Sequence, residues 1–243
     1  MTRQTTIALA TLAFAAGIAG AQTTVVDFDD GDTHGWEGPQ GVGGISYLDP
    51  THGVGGSGGY RTEFNDFGIV FSNSTNSAFV GDYTQYDEVT ISFDLRIDQI
   101  GFSGLGISRP FMLELRNSTL GDAGYPWASA FYEFGWYSDS SFNGFANFSV
   151  TFNPNDPTLP AGWGGYGSYD PVTFETALPA GVTFADVLAG VDTIAISTLL
   201  PDYFFTNDSY DLTVDNITIT AVPAPGASAL LVLGGLVGTR RRR

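Results

Sequence analysis

The chain has 243 residues, 43% apolar and only 14% charged, rich in Gly (32) and Phe (19) and without Cys or Lys. That composition excludes disulfides, thiolate metal sites and a cysteine nucleophile, and favours short strands and turns over long salt-bridged helices. All 26 acidic residues fall between Asp27 and Asp215, where only Arg61, Arg96, Arg109 and Arg116 oppose them, a balance of −22; such a surface repels phosphate backbones and anionic headgroups, which argues against nucleic acid and makes cations the natural partners, although it also serves solubility alone.

In chain order, Arg3 and the apolar run Ile7 to Ile18 precede Ala19-Gly20-Ala21, the small-x-small pattern of a signal-peptidase site. Residues 1–21 are therefore predicted to be a signal peptide, cut between Ala21 and Gln22. From Gln22 to Thr220 windows of alternating apolar and polar residues are broken by Gly, Asn, Asp and Pro, which predicts half-buried strands joined by turns. The clearest runs over Val89, Ile91, Phe93, Leu95 and Ile97. Shorter signals cover Thr24 to Phe28, Gly68 to Phe71, Phe111 to Leu115, Ala130 to Phe134, Phe148 to Phe152, Thr193 to Ser197 and Leu212 to Ile219. One helical turn is predicted at Thr183 to Ala189, with Gly190 as its stop. Gly53 to Gly59 and Gly162 to Gly167 read as flexible surface loops. The fold class is all-β: one antiparallel jelly-roll β-sandwich over residues 22–220.

Residues 221–243 have a different order: Val222-Pro223-Ala224-Pro225-Gly226, an apolar segment from Ala227 to Val237, and Arg240 to Arg243. A Pro-rich motif, a short apolar helix and a basic stop resemble the PEP-CTERM class of bacterial sorting tails, although Val-Pro-Ala-Pro stands where that family has Pro-Glu-Pro. The resemblance implies an exosortase-like sorting protease as a partner, transient membrane association with the arginines inside, and a destination in the cell envelope, on the cell surface or in the extracellular matrix.

Within the domain, Phe79-Val80-Gly81-Asp82, then Tyr86 with the strand Val89 to Ile97, then Phe184-Ala185-Asp186-Val187-Leu188 leading into Val191 to Ser197, and finally Leu212-Thr213-Val214-Asp215-Asn216-Ile217 resemble the laminin B (domain IV) pattern. That implies a jelly-roll-like extracellular module, similar in outline to many carbohydrate-binding domains.

Candidate sites are of three kinds. The acidic run Asp27, Asp29, Asp30 and Asp32 turns at Gly31, and oxygen-rich turns suit Ca²⁺; likeness to jelly-roll modules places a structural calcium between Asp29 or Asp30 and Asp215, against the plainer reading of solvated turn carboxylates. Tyr125, Trp127, Trp136, Tyr137, Trp163, Tyr166 and Tyr169 form an aromatic-rich segment that serves as core or as a platform for sugar faces. Phe131, Phe134 and Trp136 have a spacing compatible with the core. Trp127, Tyr137, Trp163 and Tyr166 are the ligand candidates, and Trp163, ringed by Gly162, Gly164, Gly165 and Gly167, is the one most expected at the surface. For catalysis there is little: His34 and His52 lie in Gly-rich stretches and no nucleophile elbow occurs, so Glu133 and Asp139 would be the pair for a glycosidase. The expected function is non-enzymatic, adhesion or binding of extracellular polysaccharide. The alternatives are a structural matrix component that binds divalent cations and a glycoside-active enzyme.

Overall fold

Alternation at period two gives a strand one dry face and one wet face, and two such sheets bury their dry faces against each other. The computed structural model describes residues 20–224. Its strands are β1 Gln22–Val26, β2 Trp36–Glu37, β3 Gly44–Asp49, β4 Gly59–Asp66, β5 Val70–Asn73, β6 Tyr86–Phe102, β7 Leu105–Gly106, β8 Arg109–Asn117, β9 Ala128–Tyr137, β10 Phe145–Phe152, β11 Trp163–Tyr166, β12 Ser168–Tyr169, β13 Thr176–Ala177, β14 Thr193–Ser197 and β15 Asp208–Pro223, with one helix, α1, at Phe184–Leu188. The first sheet runs β10-β6-β15-β4-β3, with β1 paired to β15 and β7 to β6; the second runs β11-β9-β8-β14-β5-β2. Every pairing is antiparallel. The architecture is an antiparallel jelly-roll β-sandwich. Among the described residues no helix is long and apolar enough to cross a membrane.

The core lies between the sheets. Val89, Ile91, Phe93, Leu95 and Ile97 are all buried, as are Phe111, Leu113 and Leu115 from β8 and Leu212, Val214, Ile217 and Ile219 from β15. Phe93 stacks on Phe148 at 5.4 Å, with Phe134 edge-on to both, an arrangement that adds to the burial of each ring. The 17-residue β6 extends the predicted strand in both directions.

The helix is short but firmly started. Thr183 Oγ1 accepts the Asp186 N–H at 3.1 Å, and Asp186 Oδ2 accepts the Thr183 N–H at 2.9 Å, a reciprocal cap that satisfies two donors with no helical partner. Phe184, Val187 and Leu188 then enter the core. Thr183→Ala is expected to lower stability by about 1 kcal/mol in a urea titration; an unmoved midpoint would show the cap to be inert.

The two expected loops differ: 53–58 is a loop with a single 3-10 turn at Val54–Gly56 that leads into β4 at Gly59, whereas 162–167 contains the edge strand β11. The last strand passes the expected domain boundary at Thr220. Val222 pairs with Glu88 and Pro223 with Tyr86, and the Ala224 N–H reaches the Gln85 carbonyl at 3.2 Å. The start of the tail motif is therefore part of the sandwich. Pro225, Gly226, the apolar helix and residues 1–19 of the signal peptide lie outside the described residues. Ala21 is exposed and Gln22 is the first residue of β1.

Candidate functional site

On β8, Met112, Glu114 and Arg116 alternate with the core residues Phe111, Leu113 and Leu115, so they face away from the other sheet. Register places Ser129 and Phe131 of β9 beside Arg116 and Glu114, and Ser197 of β14 between Met112 and Val70 of β5. This outer face holds a groove of about 450 Å³ lined by Val70, Met112, Glu114, Arg116, Trp127, Tyr166, Ser197, Leu199 and Pro201.

Its polar element is a closed network. Glu114 is only 4% exposed. One carboxylate oxygen accepts Arg116 Nε at 2.9 Å and Nη2 at 2.7 Å; the other accepts Trp127 Nε1 at 3.0 Å and the Ser129 hydroxyl at 2.6 Å. The Arg116 guanidinium lies over the Trp127 ring, 4.2 Å from its centroid, a cation–π contact that fixes the indole from a second side. Tyr166 leans on Trp127 at 6.0 Å and meets Tyr125 edge-on at 5.2 Å. Burial, with the neighbouring Tyr125 and Glu114, raises the Tyr166 phenol above its ordinary value, so it stays protonated as a donor. The groove thus presents aromatic surface held rigid and hydrogen-bonding groups already oriented, the combination that recognises amphipathic small rings.

The four ligand candidates separate. Trp127 and Tyr166 share the groove wall, whereas Trp163 and Tyr137 belong to the core. Trp163 is 9% exposed and packs edge-on against Phe152 at 5.0 Å and Phe184 at 5.1 Å. The glycines beside it mark close packing and not a loose loop. A Cβ on Gly164 would come 2.2 Å from the Phe131 ring, and one on Gly165 would meet Leu178 at 2.8 Å. Tyr137 packs on Phe148 at 5.1 Å, with its hydroxyl on the Phe134 carbonyl at 2.9 Å. Sequence reasoning missed Glu114 and Arg116, although two charges two residues apart, one in the predicted strand Phe111 to Leu115 and one just past its end, were the available signal.

The outer face of the first sheet carries the acidic constellation. The Gly-rich segment 50–58 crosses it, tied by three carboxylates: His52 Nε2 lies 2.8 Å from Asp98, the Val54 N–H donates to Asp215 Oδ2 at 2.8 Å, and the Gly58 N–H donates to Asp29 Oδ1 at 2.8 Å. Asp29 and Asp215 are both engaged with this segment, and the charge of Asp29 acts on Asp215. Asp30 is not so engaged: it is exposed, with its carboxylate on the Asp32 N–H and on His34. Asp215 is fully buried. Burial, reinforced by the charges of Asp94 and Asp29, pushes its carboxyl up to about 6. Among the described residues no three acidic or histidine side chains converge as a ready metal cage. A Ca²⁺ here would take Asp29 and Asp215 and complete its shell with backbone carbonyls and water.

Glu133 and Asp139 do not share a cavity. Glu133 lies opposite Met112 on the outer face of the second sheet, while Asp139 lines a hollow with Asp98, Gly101 and Gly106 at the end of β6.

No protein-family model matches the chain, and no curated protein matches it. Among solved structures it is similar to an exo-beta-agarase, with 14% identity, TM-score 0.45 and coverage of 82% of this chain but 25% of the agarase. It is also similar to the C-terminal family 22 carbohydrate-binding module of Clostridium thermocellum Xyn10B, with 14% identity, TM-score 0.41 and coverage of 88% and 99%. A third is the CBM22-1 xylan-binding domain of Paenibacillus barcinonensis Xyn10C, with 12% identity, TM-score 0.44 and coverage of 83% and 94%.

Proposed function

We propose that the chain is an exported bacterial protein that binds glycan in the groove on the second sheet and does not turn it over. The observation that carries this reading is the Trp127 wall, clamped by Glu114 and Arg116 and continued by Tyr166. Stacked apolar faces supply the attraction for the C–H surface of a sugar ring, and the fixed polar groups supply orientation. The test is a glycan array probed with the full chain, followed by Trp127→Ala against whichever polymer binds. A loss of about 2 kcal/mol, roughly 30-fold in affinity, is expected for an anchor of this kind. Equal affinity of variant and parent would remove the groove from the binding reaction.

A second reading is favoured by Asp215: a matrix component whose Asp29–Asp215 site holds Ca²⁺ and stiffens the 50–58 segment. The two readings are compatible, since one uses each face of the sandwich. Secretion through the Ala21–Gln22 cleavage site, followed by sorting at Val222-Pro223-Ala224-Pro225-Gly226 by an exosortase-like protease, would place either activity at the cell envelope or in the matrix. Because Val222 and Pro223 are paired in β15, the processing step would act at or beyond Ala224.

A further inference from the structure

We infer that the groove continues onto an aromatic shelf formed by Trp136, Tyr203 and Phe204, and that its ligand is an uncharged glycan chain long enough to reach from one to the other. This rests on the groove being a glycan site. The loop that follows β14 contributes Leu199 and Pro201 to the groove lining, and its next residues carry the shelf. Tyr203 meets Trp136 edge-on at 5.2 Å and lies parallel to Phe205 at 6.1 Å. Trp136 is 41% exposed, Tyr203 56% and Phe204 91%.

The exposure is enforced. Leu200 and Phe205 are buried beneath the loop in a small cluster with Met112 and Phe131. Arg109 covers the Phe205 ring at 5.3 Å and donates to Thr206 Oγ1 at 2.8 Å, while ion-pairing with Asp208. On the other side Asp202, held at φ 66°, accepts both the N–H and the hydroxyl of Thr176 at 2.8 Å. A loop nailed down at both flanks while its large rings face water is pre-organised for a partner, and little conformational entropy remains to be lost on binding.

Charge selects the class of chain. Each of the four arginines among the described residues is held by a carboxylate: Arg61 by Asp211, Arg96 by Asp98, Arg109 by Asp208 and Arg116 by Glu114. With 26 acidic residues around them, a uronate or sulfated chain would meet repulsion with no cation released to receive it. Stacking and hydroxyl contacts remain, and these suit neutral sugars.

The experiment is titration calorimetry of the full chain with neutral oligosaccharides from trisaccharide to octasaccharide, derived from β-1,4-glucan, β-1,4-xylan and agarose, and with polyuronate fragments of the same lengths. For the series that binds, affinity is expected to rise about tenfold with length. Tyr203→Ala/Phe204→Ala should remove that rise and leave the trisaccharide unaffected, whereas Trp127→Ala should weaken every length. Phe204→Ala alone, at a side chain with almost no packing, keeps the result free of folding effects. Affinity independent of length, a length gain that survives the double variant, or preferential binding of polyuronate would overturn the shelf or its neutral ligand while leaving the groove standing. No binding of any oligosaccharide would overturn the groove and the shelf together.

Discussion

Glu114→Ala should lower the stability of the domain by about 3 to 5 kcal/mol, the range for removing one member of a buried ion pair. The carboxylate is the common acceptor for Arg116, Trp127 and Ser129. Its loss strands a guanidinium that is only 17% exposed, leaves the buried Ser129 hydroxyl without that acceptor, and frees the indole that forms the groove wall. In a domain of this size that corresponds to a fall in melting temperature of roughly 10 °C. Calorimetry reads it directly. The companion measurement is Glu114→Gln/Arg116→Met: with the charge pair replaced as a unit, the double variant should be more stable than the sum of its parts predicts. A melting temperature for Glu114→Ala within about 2 °C of the parent would show that the network contributes nothing despite its burial.

The second large effect is on pH and calcium. The Asp215 carboxyl titrates at about 6 in the folded chain against an ordinary 3.8, because burial and its acidic neighbours disfavour the charge. A raised folded value means that this group's contribution is fully present below about pH 4 and is lost as pH rises through 6. The difference between the folded and ordinary values corresponds to roughly 3 kcal/mol. In chelator, the parent should therefore lose about that much more stability between pH 4 and pH 7 than Asp215→Asn, a comparison of slopes that does not depend on how well the amide fits. Saturating Ca²⁺ should abolish the difference, because a divalent cation holds the carboxylate charged and stabilises the folded state by mass action. Identical slopes would remove Asp215 from the pH response. A melting curve indifferent to EDTA at pH 7 would remove calcium.

The parts of this molecule legible in its sequence are those in which one local rule acts alone. β14 matches its predicted span, Thr193 to Ser197, and β6 declares itself by strict alternation with nothing to interrupt it. The helix is marked by Thr183, Asp186 and Gly190 together. β9 is harder because two rules compete. A bulge at its pairing with β8 shifts register between Phe111 and Met112, where Gly135 takes φ 124°. One extra residue reverses every later side chain. Trp136, two residues past Phe134 but beyond the bulge, therefore faces solvent while Phe134 enters the core; Phe131, three residues before Phe134, lies on the outer face by alternation alone, although the spacing is compatible with all three in the core. Glycine misleads for a related reason. Gly164 and Gly165 read as flexibility, yet each is small because Phe131 and Leu178 occupy the space of a side chain. The groove is half visible in the sequence: Trp127 and Tyr166 stand out in an aromatic-rich segment, but their clamp depends on which strand lies beside which.

The position of β15 sets an order of events. It is the last strand among the described residues, yet it lies inside the first sheet, between β6 and β4, and also receives β1. Until residues 208–223 have left the ribosome, β4 and β6 have no common neighbour and β1 has no partner, so half of the sandwich cannot close. The nascent chain stays short of its folded form throughout synthesis. On the proposed secretion route the polypeptide would have to be threaded unfolded, and a central strand made this late would keep it competent for passage and leave the sandwich to close on the far side.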